Sequence, residues 1–245
     1  MLLEAHDITK TFGGFRAVDG ATLDVAEGEI VGLIGPNGAG KSTFFNCLAG
    51  DMVATSGTIR FLDQDVTRAT PEAHARLGMA RTFQMPVTFE DMTVAENVMV
   101  GAFLRHGHRI AARRIADEVL AFAGIASLGG MLARTLGTPG RKRLEIARAL
   151  ATEPRLLLLD EALAGLTPAE MRTAIDLVRR IKGRGITVVI VEHVMEVILT
   201  LADRAVVFHQ GKVIAAGAPR DVVDDPGVIA AYLGGHMRRL RTARP

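Results

Sequence analysis

Aromatic residues and cysteine are scarce in this chain of 245 residues, which contains no Trp, one Tyr and one Cys. Few rings are therefore available to stack on bases, and 29 basic residues nearly balance 27 acidic ones for a net charge of +2. The sequence thus predicts no nucleic-acid partner. The single Cys47 excludes an internal disulfide and is expected to be a small core residue in a reducing, cytosolic compartment.

Long apolar runs are also missing. Although 49% of the residues are hydrophobic and the mean hydropathy is +0.25, the longest apolar runs fall far short of the ~20 residues that a membrane-spanning helix needs. The N-terminal residues lack a basic segment followed by an apolar stretch and a cleavage site, so no export signal is expected. We therefore expect a soluble protein with strands buried on both faces.

Short apolar runs alternate with amphipathic stretches along the chain. Continuous apolar runs, typical of central strands in a parallel sheet, occur at 30–34, 156–159 and 187–191. Alternating segments predict strands at 3–9 and 21–25, and a Gln210-Gly211-Lys212 turn predicts a hairpin at the edge of the sheet. Helical stretches such as 170–182 lie between strands. The pattern predicts a layered α/β fold with its ligand at the carboxyl ends of the strands.

The apolar run at 30–34 leads into a glycine-rich segment, Gly35-Pro36-Asn37-Gly38-Ala39-Gly40-Lys41-Ser42-Thr43. Glycines let the backbone N–H groups point inwards, and a helix that starts near Lys41 directs the positive end of its dipole at the same place. In this pattern Lys41 reaches the β- and γ-phosphates of a nucleoside triphosphate and the Ser42 hydroxyl binds Mg²⁺. The segment predicts a phosphate-binding loop; a glycine-rich turn without a ligand is the weaker alternative.

Two acids, Asp160 and Glu161, end the apolar run at 156–159. Burying an unpaired carboxylate costs several kcal/mol, so Asp160 is expected beside a cation, which Mg²⁺ held by Ser42 and the phosphates would supply. Glu161 is expected to face the other way and polarise an attacking water. His193 follows the run at 187–191; such a histidine is more often structural, although its position also suits contact with a phosphate.

Further motifs extend this pattern along almost the whole chain. They are Arg81-Thr82-Phe83-Gln84, Thr93 to Val98, Arg143 to Leu150, Ala164-Gly165-Leu166, Val191-Glu192-His193 and Ala230 to Gly234. With the phosphate loop and the two acids, they make the chain resemble the nucleotide-binding subunits of ABC transporters, most closely the ATPases of bacterial branched-chain amino-acid importers. The resemblance implies one ATP-binding domain over 1–245. It would have a P-loop NTPase (RecA-like) α/β core at about 1–85 and 150–245, an antiparallel β subdomain, and an inserted helical subdomain at about 86–149.

The resemblance also implies that ATP and Mg²⁺ are the ligands and assigns residues to them. The phosphate-binding set would be Gly35, Asn37, Gly38, Ala39, Gly40, Lys41, Ser42 and Thr43. Phe12 would stack on adenine with Val18 beside it, although a core contact is the alternative for Phe12.

The catalytic roles come from the same resemblance. Mg²⁺ would be bound by Ser42, Asp160 and Gln84, and Gln84 would pass the signal to the membrane subunit. Glu161 would be the catalytic base, and His193 would contact the γ-phosphate beside Lys41.

The main departure from the family pattern is Leu136-Gly137-Thr138-Pro139-Gly140, where the family carries Leu-Ser-Gly-Gly-Gln. In the family, that signature binds the γ-phosphate of ATP held by the opposite subunit. Here Gly137 lacks the hydroxyl, Pro139 lacks the backbone N–H and Gly140 lacks the amide side chain. Thr138 is expected to cap a helix with Pro139 as its first residue, so the dipole still points at the phosphate. Two interpretations stay open. Either the partner's ATP site, which this chain closes, works poorly and the pair is asymmetric, or the Thr138 hydroxyl substitutes and the variant is tolerated.

The loop Ala164 to Thr167 would cross to the second ATPase, although Thr167 replaces the usual acid or amide. The expected partners are therefore a second ATP-binding subunit, transmembrane permease subunits and, indirectly, a periplasmic solute-binding protein. The chain would hydrolyse ATP at the cytoplasmic face of the inner membrane to energise amino-acid uptake. The alternatives are the ATPase of a lipid or drug exporter and a soluble ABC protein with a regulatory or assembly role.

Basic residues gather in two places. The first group, in the helical segment, suits either permease contact or a solvated surface; the second, in the tail, suits a frayed terminus or attraction to anionic lipid or a partner. The groups are Arg105, Arg109, Arg113 and Arg114, and Arg238, Arg239, Arg241 and Arg244.

Overall fold

The computed structural model describes residues 1–232, which fall into two compact units. Of the described residues, the first unit contains 1–70 and 188–232, and the second contains 71–187. The strands are β1 (Leu3–Phe12), β2 (Phe15–Val25), β3 (Ile30–Ile34), β4 (Ser56–Phe61), β5 (Gln64–Asp65), β6 (Met79–Arg81), β7 (Leu156–Asp160), β8 (Thr187–Val191), β9 (Arg204–His209) and β10 (Lys212–Gly217).

The helices lie between or after these strands. They are α1 (Lys41–Leu48), α2 (Pro71–Leu77), α3 (Val94–Ala102), α4 (Arg109–Ala123), α5 (Thr138–Leu150), α6 (Pro168–Gly183), α7 (Met195–Leu201) and α8 (Pro219–Val223), with 3-10 turns at Ala126–Leu128 and Ala133–Thr135. Residues 226–232 are also helical. Within residues 1–232 no helix has both the length and the apolar character to cross a membrane.

The first unit contains an antiparallel sheet in the order β2-β1-β4-β5. Leu3 of β1 pairs with Val25 on one side and Phe61 on the other, and all three side chains are fully buried. The strands predicted at 3–9 and 21–25 are longer than expected, because β1 and β2 continue as a hairpin as far as Phe12 and Phe15. Register shifts interrupt the alternation along β1, which hides this pairing from the sequence pattern.

The same unit contains strands in the order β10-β9-β3-β8, with β3 parallel to both of its neighbours. Every residue of β3 and β8 is buried, which explains their uninterrupted apolar sequences. The predicted hairpin of β9 and β10 forms at the edge. Its turn residues Gln210 and Gly211 both have positive φ, 49° and 81°, as a type I′ turn requires.

The second unit contains the parallel pair β6 and β7 and most of the helices. All five residues of β7, including Asp160, are buried. Helix α3 begins in a capping box formed by Thr93 and Glu96 and packs against α4 and α5. The predicted helical subdomain at 86–149 falls inside this unit, and its separation from a core at 1–85 and 150–245 stays a prediction.

Candidate functional site

The phosphate loop leaves the buried strand β3 and ends where α1 begins at Lys41. Gly35 and Gly40 have φ values of 146° and 102°. A Cβ at Gly35 would lie 2.2 Å from the Phe208 carbonyl oxygen, and one at Gly40 would lie 2.3 Å from the Ala17 carbonyl oxygen. Both positions therefore require glycine for conformation and for space.

The charge of this loop suits an anion. The Lys41 side chain is buried, and its ammonium donates to the carbonyl oxygens of Gly35 at 2.7 Å and Pro36 at 3.1 Å. Gly40, which has no side chain, is the N-cap of α1, and the first turn contains no acidic residue. The positive end of the helix dipole is thus not neutralised by an acid of its own first turn, and the residues present fit the triphosphate of a nucleotide.

Two further residues lie near the phosphate loop. β8 is the parallel neighbour of β3, and the Glu192 N–H donates to the Leu33 carbonyl oxygen at 3.3 Å, so exposed His193 follows the strand end beside the loop. The Tyr232 hydroxyl oxygen accepts a hydrogen bond from the Gly35 backbone N–H, and burial raises the pKa of Tyr232. The phosphate-loop pattern alone did not indicate this tyrosine.

The residues predicted at adenine lie on the β1–β2 hairpin. The Phe12 ring is 47% exposed and lies 5.3 Å from the Lys10 ammonium, and it pairs with Phe15 across the hairpin. Val18 is fully buried and pairs with Lys10, so it offers no exposed surface beside the Phe12 ring. The exposed Phe12 ring leaves room for the predicted stacking.

Asp160 at the end of β7 has a cation beside it that the sequence did not predict. Its carboxylate lies 3.3 Å from the Arg81 guanidinium, and both side chains are nearly buried. The Asp160 N–H donates to the Thr82 hydroxyl at 3.2 Å, which ties the end of β7 to the segment after β6. Arg81 therefore provides the positive charge for which Mg²⁺ had been expected, while binding of Mg²⁺ by Asp160 stays a prediction. Carboxylate, hydroxyl and amide oxygens of the predicted set are donors that suit this hard cation.

Glu161, one residue later, contacts a different partner. Its carboxylate accepts a hydrogen bond of 2.9 Å from the Gln84 side-chain amide. Its backbone has a φ of 46°, a left-handed conformation that is unusual for a residue other than glycine. The structure thus brings together Gln84 and Glu161, which are 77 residues apart in the sequence.

Two buried charged residues on α5, Lys142 and Glu145, bind the backbone of the segments that contain Glu161 and Gln84. The sequence pattern did not indicate either role. The Lys142 ammonium donates to the carbonyl oxygens of Glu161 at 3.0 Å and Ala164 at 2.6 Å. The Glu145 carboxylate accepts from the Phe83 N–H at 2.9 Å, next to Gln84. A charged residue at a buried helical position is the signal that would have identified both.

The altered signature segment forms the start of α5. The helix begins at Thr138 and its N-cap is Gly137, so the prediction of Thr138 as N-cap was wrong by one residue. Gly137 has an extended backbone, with φ −69° and ψ 169°, and precedes the first turn of the helix. Pro139 lies in that first turn, where backbone N–H groups have no acceptor within the helix, so its missing N–H costs the helix no hydrogen bond. A Cβ at Gly137 would meet nothing closer than 3.9 Å, and one at Gly140 nothing closer than 3.4 Å. Both positions therefore have room for a Cβ.

Thr167, which departs from the family pattern, has a structural role at the start of α6. Its hydroxyl accepts from the Glu170 N–H at 3.4 Å, while the Glu170 carboxylate accepts from the Thr167 N–H at 2.8 Å. This reciprocal pair is a capping box and accounts for the hydroxyl at this position.

The arginines of the helical segment are partly engaged within their own unit. Arg113 and Arg114 face Asp117 and Glu118 one turn along α4, and Arg105 donates to the Thr152 carbonyl oxygen. These contacts favour a solvated face for that part of α4. The four tail arginines lie outside the described residues.

Comparison with known proteins supports the same assignment. The family described as "ABC transporter" matches residues 18–164, and the family described as "Branched-chain amino acid ATP-binding cassette transporter" matches residues 212–237. The chain is 37% identical to the high-affinity branched-chain amino acid transport ATP-binding protein BraF of Pseudomonas aeruginosa, covering 95% of this chain and 98% of that protein. It is 36% identical to the lipopolysaccharide export system ATP-binding protein LptB of Acidithiobacillus ferridurans, covering 97% and 98%.

A solved structure has the same fold. The nucleotide-free ATP-binding cassette of an ABC transporter superposes with a TM-score of 0.86 at 31% identity, covering 94% of this chain and 98% of that one. The predicted P-loop ATPase fold is therefore confirmed. With a family match over more than half its length and relatives similar throughout, the chain belongs to the ABC transporter family, as an ATP-binding subunit that hydrolyses ATP.

Proposed function

We propose that this chain energises the uptake of branched-chain or related amino acids through a membrane permease. The observation that carries the proposal is the match of residues 212–237 to the branched-chain amino-acid cassette family, together with whole-length similarity to BraF. The protein would associate peripherally with the cytoplasmic face of the membrane. A periplasmic solute-binding protein would deliver the amino acid to the permease and would not touch this chain.

The proposed roles of the residues follow the sequence prediction. Residues 35–43 hold the phosphates, with Lys41 at the β- and γ-phosphates and His193 at the γ-phosphate. Phe12 stacks on adenine, and Val18 supports the hairpin from within the core. Mg²⁺ would be held by the oxygens of Ser42, Asp160 and Gln84, and when bound it neutralises charge on the phosphates.

Glu161 acts as the general base in this proposal. Its carboxylate accepts a proton from the attacking water, and the Gln84 amide holds that carboxylate in place at 2.9 Å before turnover. A side-chain amide donates its N–H to a carboxylate oxygen, so Gln84 can orient the Glu161 side chain.

Apolar side chains around Gln84 support the permease contact. The segment that follows β6 exposes large apolar side chains to solvent, with Met85 80% exposed. Exposed apolar residues so close in sequence are typical of a protein-binding surface. They are Phe83, Met85, Val87 and Phe89. A permease segment bound here would contact both neighbours of Gln84 and so couple transport to the site.

The second ATP-binding subunit stays part of the proposal, as either a copy or a related chain. Because Gly137, Pro139 and Gly140 lack the groups of the family signature, we propose that the ATP site of the partner, closed by α5 of this chain, turns over more slowly. The site formed by residues 35–43 of this chain would remain fully active when the partner carries an intact signature.

The test is Glu161→Gln in the full chain assembled with its permease. We expect ATP binding to be retained and turnover to fall by about 10²-fold or more, as for loss of a general base. Glu118→Gln, an exposed acid on α4, is the matched control and should behave like the wild type. Wild-type turnover in Glu161→Gln would remove this residue from the catalytic role.

Similarity to LptB keeps an export function as the second candidate. Purification of the membrane partner and uptake of labelled leucine into proteoliposomes distinguish the two. ATP-dependent leucine accumulation supports the importer, whereas co-purification with an export permease and no accumulation supports the exporter. Absence of any membrane partner would favour the soluble regulatory role.

A further inference from the structure

Helix α5 carries three charged residues at intervals of three, Lys142, Glu145 and Arg148. This spacing places them on one face of the helix. Lys142 is 9% exposed and Glu145 is 3% exposed, which is unusual for ionisable residues on a helix. A buried charge is stable only when its hydrogen bonds are satisfied, so the partners of these two groups indicate what they do.

Lys142 contacts the segment that contains Glu161. Its ammonium donates to the carbonyl oxygens of Glu161 and Ala164, the two ends of the turn after β7. The Glu161 residue has a left-handed backbone, with φ 46°. A charged donor on the Glu161 carbonyl restrains the peptide group that follows Glu161, and so restrains the backbone from which the Glu161 side chain projects.

Glu145 contacts the segment that contains Gln84. Its carboxylate accepts hydrogen bonds from the backbone N–H groups of Phe83 and Val87, on either side of the Gln84 position. The charged groups that face the Glu145 carboxylate are Arg148 and Lys142 on the same helix. Burial raises the pKa of Glu145 to about 7, because removal from water disfavours the charged carboxylate.

Lys142 and Glu145 therefore hold the two segments whose side chains meet in the hydrogen bond between Gln84 and Glu161. One helix holds the backbone on both sides of that 2.9 Å contact, although neither Lys142 nor Glu145 has to touch the nucleotide. We propose that Lys142 and Glu145 are positioning residues that align the Glu161 carboxylate with the Gln84 amide for ATP hydrolysis. This inference rests on the proposed catalytic roles of Glu161 and Gln84.

Lys142→Met keeps the apolar stem and removes the donor, and Lys142→Arg restores a cationic donor. In the full chain assembled with its permease, we expect Lys142→Met to lower kcat at least tenfold while the Kd for ATP changes less than twofold. Lys142→Arg should recover most of the lost turnover. Lys212→Met, which removes an exposed lysine, is the matched control and should retain wild-type turnover.

Hydrogen–deuterium exchange gives a readout that does not need turnover. We expect Lys142→Met to increase exchange in peptides covering residues 158–167, and Glu145→Leu to increase it in peptides covering residues 82–89. Glu145→Gln keeps an acceptor oxygen and should leave residues 82–89 close to wild type. Exchange that rises over the whole chain, or turnover lost in step with Tm, would show a general structural role and overturn the proposal.

The double variant Lys142→Met with Glu161→Gln separates this inference from the catalytic assignment. If Lys142 acts through Glu161, the double variant should turn over no more slowly than Glu161→Gln alone. Should Glu161→Gln keep wild-type turnover, the catalytic assignment fails, whereas the local exchange at 158–167 still decides whether Lys142 holds that turn. Unchanged exchange and unchanged kcat in Lys142→Met would refute the positioning role.

Discussion

The Arg81 guanidinium lies 3.3 Å from the Asp160 carboxylate, with both side chains almost out of contact with water. The two residues end neighbouring parallel strands, β6 and β7, so the ion pair forms where the strands finish. The same guanidinium stacks 4.6 Å from the Phe83 ring, which links the pair to the segment that holds Gln84. Asp160, which the sequence predicts as a Mg²⁺ ligand, is thus also part of the internal packing of its unit.

Arg81→Met should destabilise the protein because it leaves a buried carboxylate without its facing guanidinium. We expect a loss of about 3–5 kcal/mol in the free energy of unfolding, as for breaking a buried ion pair. The measurement is urea unfolding, with the exposed Arg114→Met as control. Adding Asp160→Asn to Arg81→Met should recover part of the loss, since a neutral amide then replaces the buried carboxylate. Equal stability of the single and double variants would contradict this account.

Gly40→Ala should disrupt the phosphate loop. Its φ of 102° disfavours any side chain, and the new Cβ would lie 2.3 Å from the Ala17 carbonyl oxygen. We expect at least about 1–3 kcal/mol of destabilisation and loss of ATP binding by calorimetry. Gly14→Ala is the matched control, because a Cβ there meets nothing within 4 Å and its φ lies outside the left-handed region. Normal ATP affinity in Gly40→Ala would show that the loop adapts.

Glu145 should make stability depend on pH. Burial raises its pKa from 4.5 in the unfolded chain to about 7 in the folded chain. The folded state therefore binds the proton more tightly, and this contribution to stability is complete below pH 4.5 and is lost as the pH rises through about 7. The loss amounts to about 3 kcal/mol, from about 1.36 kcal/mol per pKa unit.

The comparison that isolates this effect is wild type against Glu145→Gln. Since a glutamine side chain does not titrate, the variant should gain stability relative to the wild type between about pH 4.5 and about pH 8, by about 3 kcal/mol in urea unfolding. If the free energies of unfolding of the two proteins differ by the same amount at both pH values, the pKa of Glu145 in the folded protein is not raised.

Restoring the family signature tests the asymmetric pair. The change Gly137→Ser, Pro139→Gly and Gly140→Gln is compatible with the backbone, because Gly137 has φ −69° and a Cβ at either glycine would meet nothing closer than 3.4 Å. If the partner is a related chain with an intact signature and its ATP site is slow, the ATPase rate of the assembled transporter should rise up to about twofold, since one of two sites gains activity. An unchanged rate would favour the tolerated variant, with the Thr138 hydroxyl acting in place of the missing groups.

Local sequence signals predicted the elements that carry the candidate site. The apolar runs at 30–34 and 187–191 match β3 and β8 residue for residue, because strands buried on both faces need apolar side chains throughout. The helix 170–182 lies within α6, and the turn at Gln210-Gly211 forms the predicted hairpin. The start of α5 was misplaced by one residue because Gly137 and Thr138 are both acceptable N-caps.

By itself, the sequence determined the strand-loop-helix of the phosphate site, the acidic end of β7 and the family, because each depends on residues that are adjacent in the chain. Only the tertiary structure decided the partners of these groups. Arg81 reaches Asp160 across 79 residues, and Glu145 reaches the Phe83 N–H across 62. The partner of a buried charge is whichever group lies next to it in the folded chain, and the local sequence pattern does not indicate which distant residue that is.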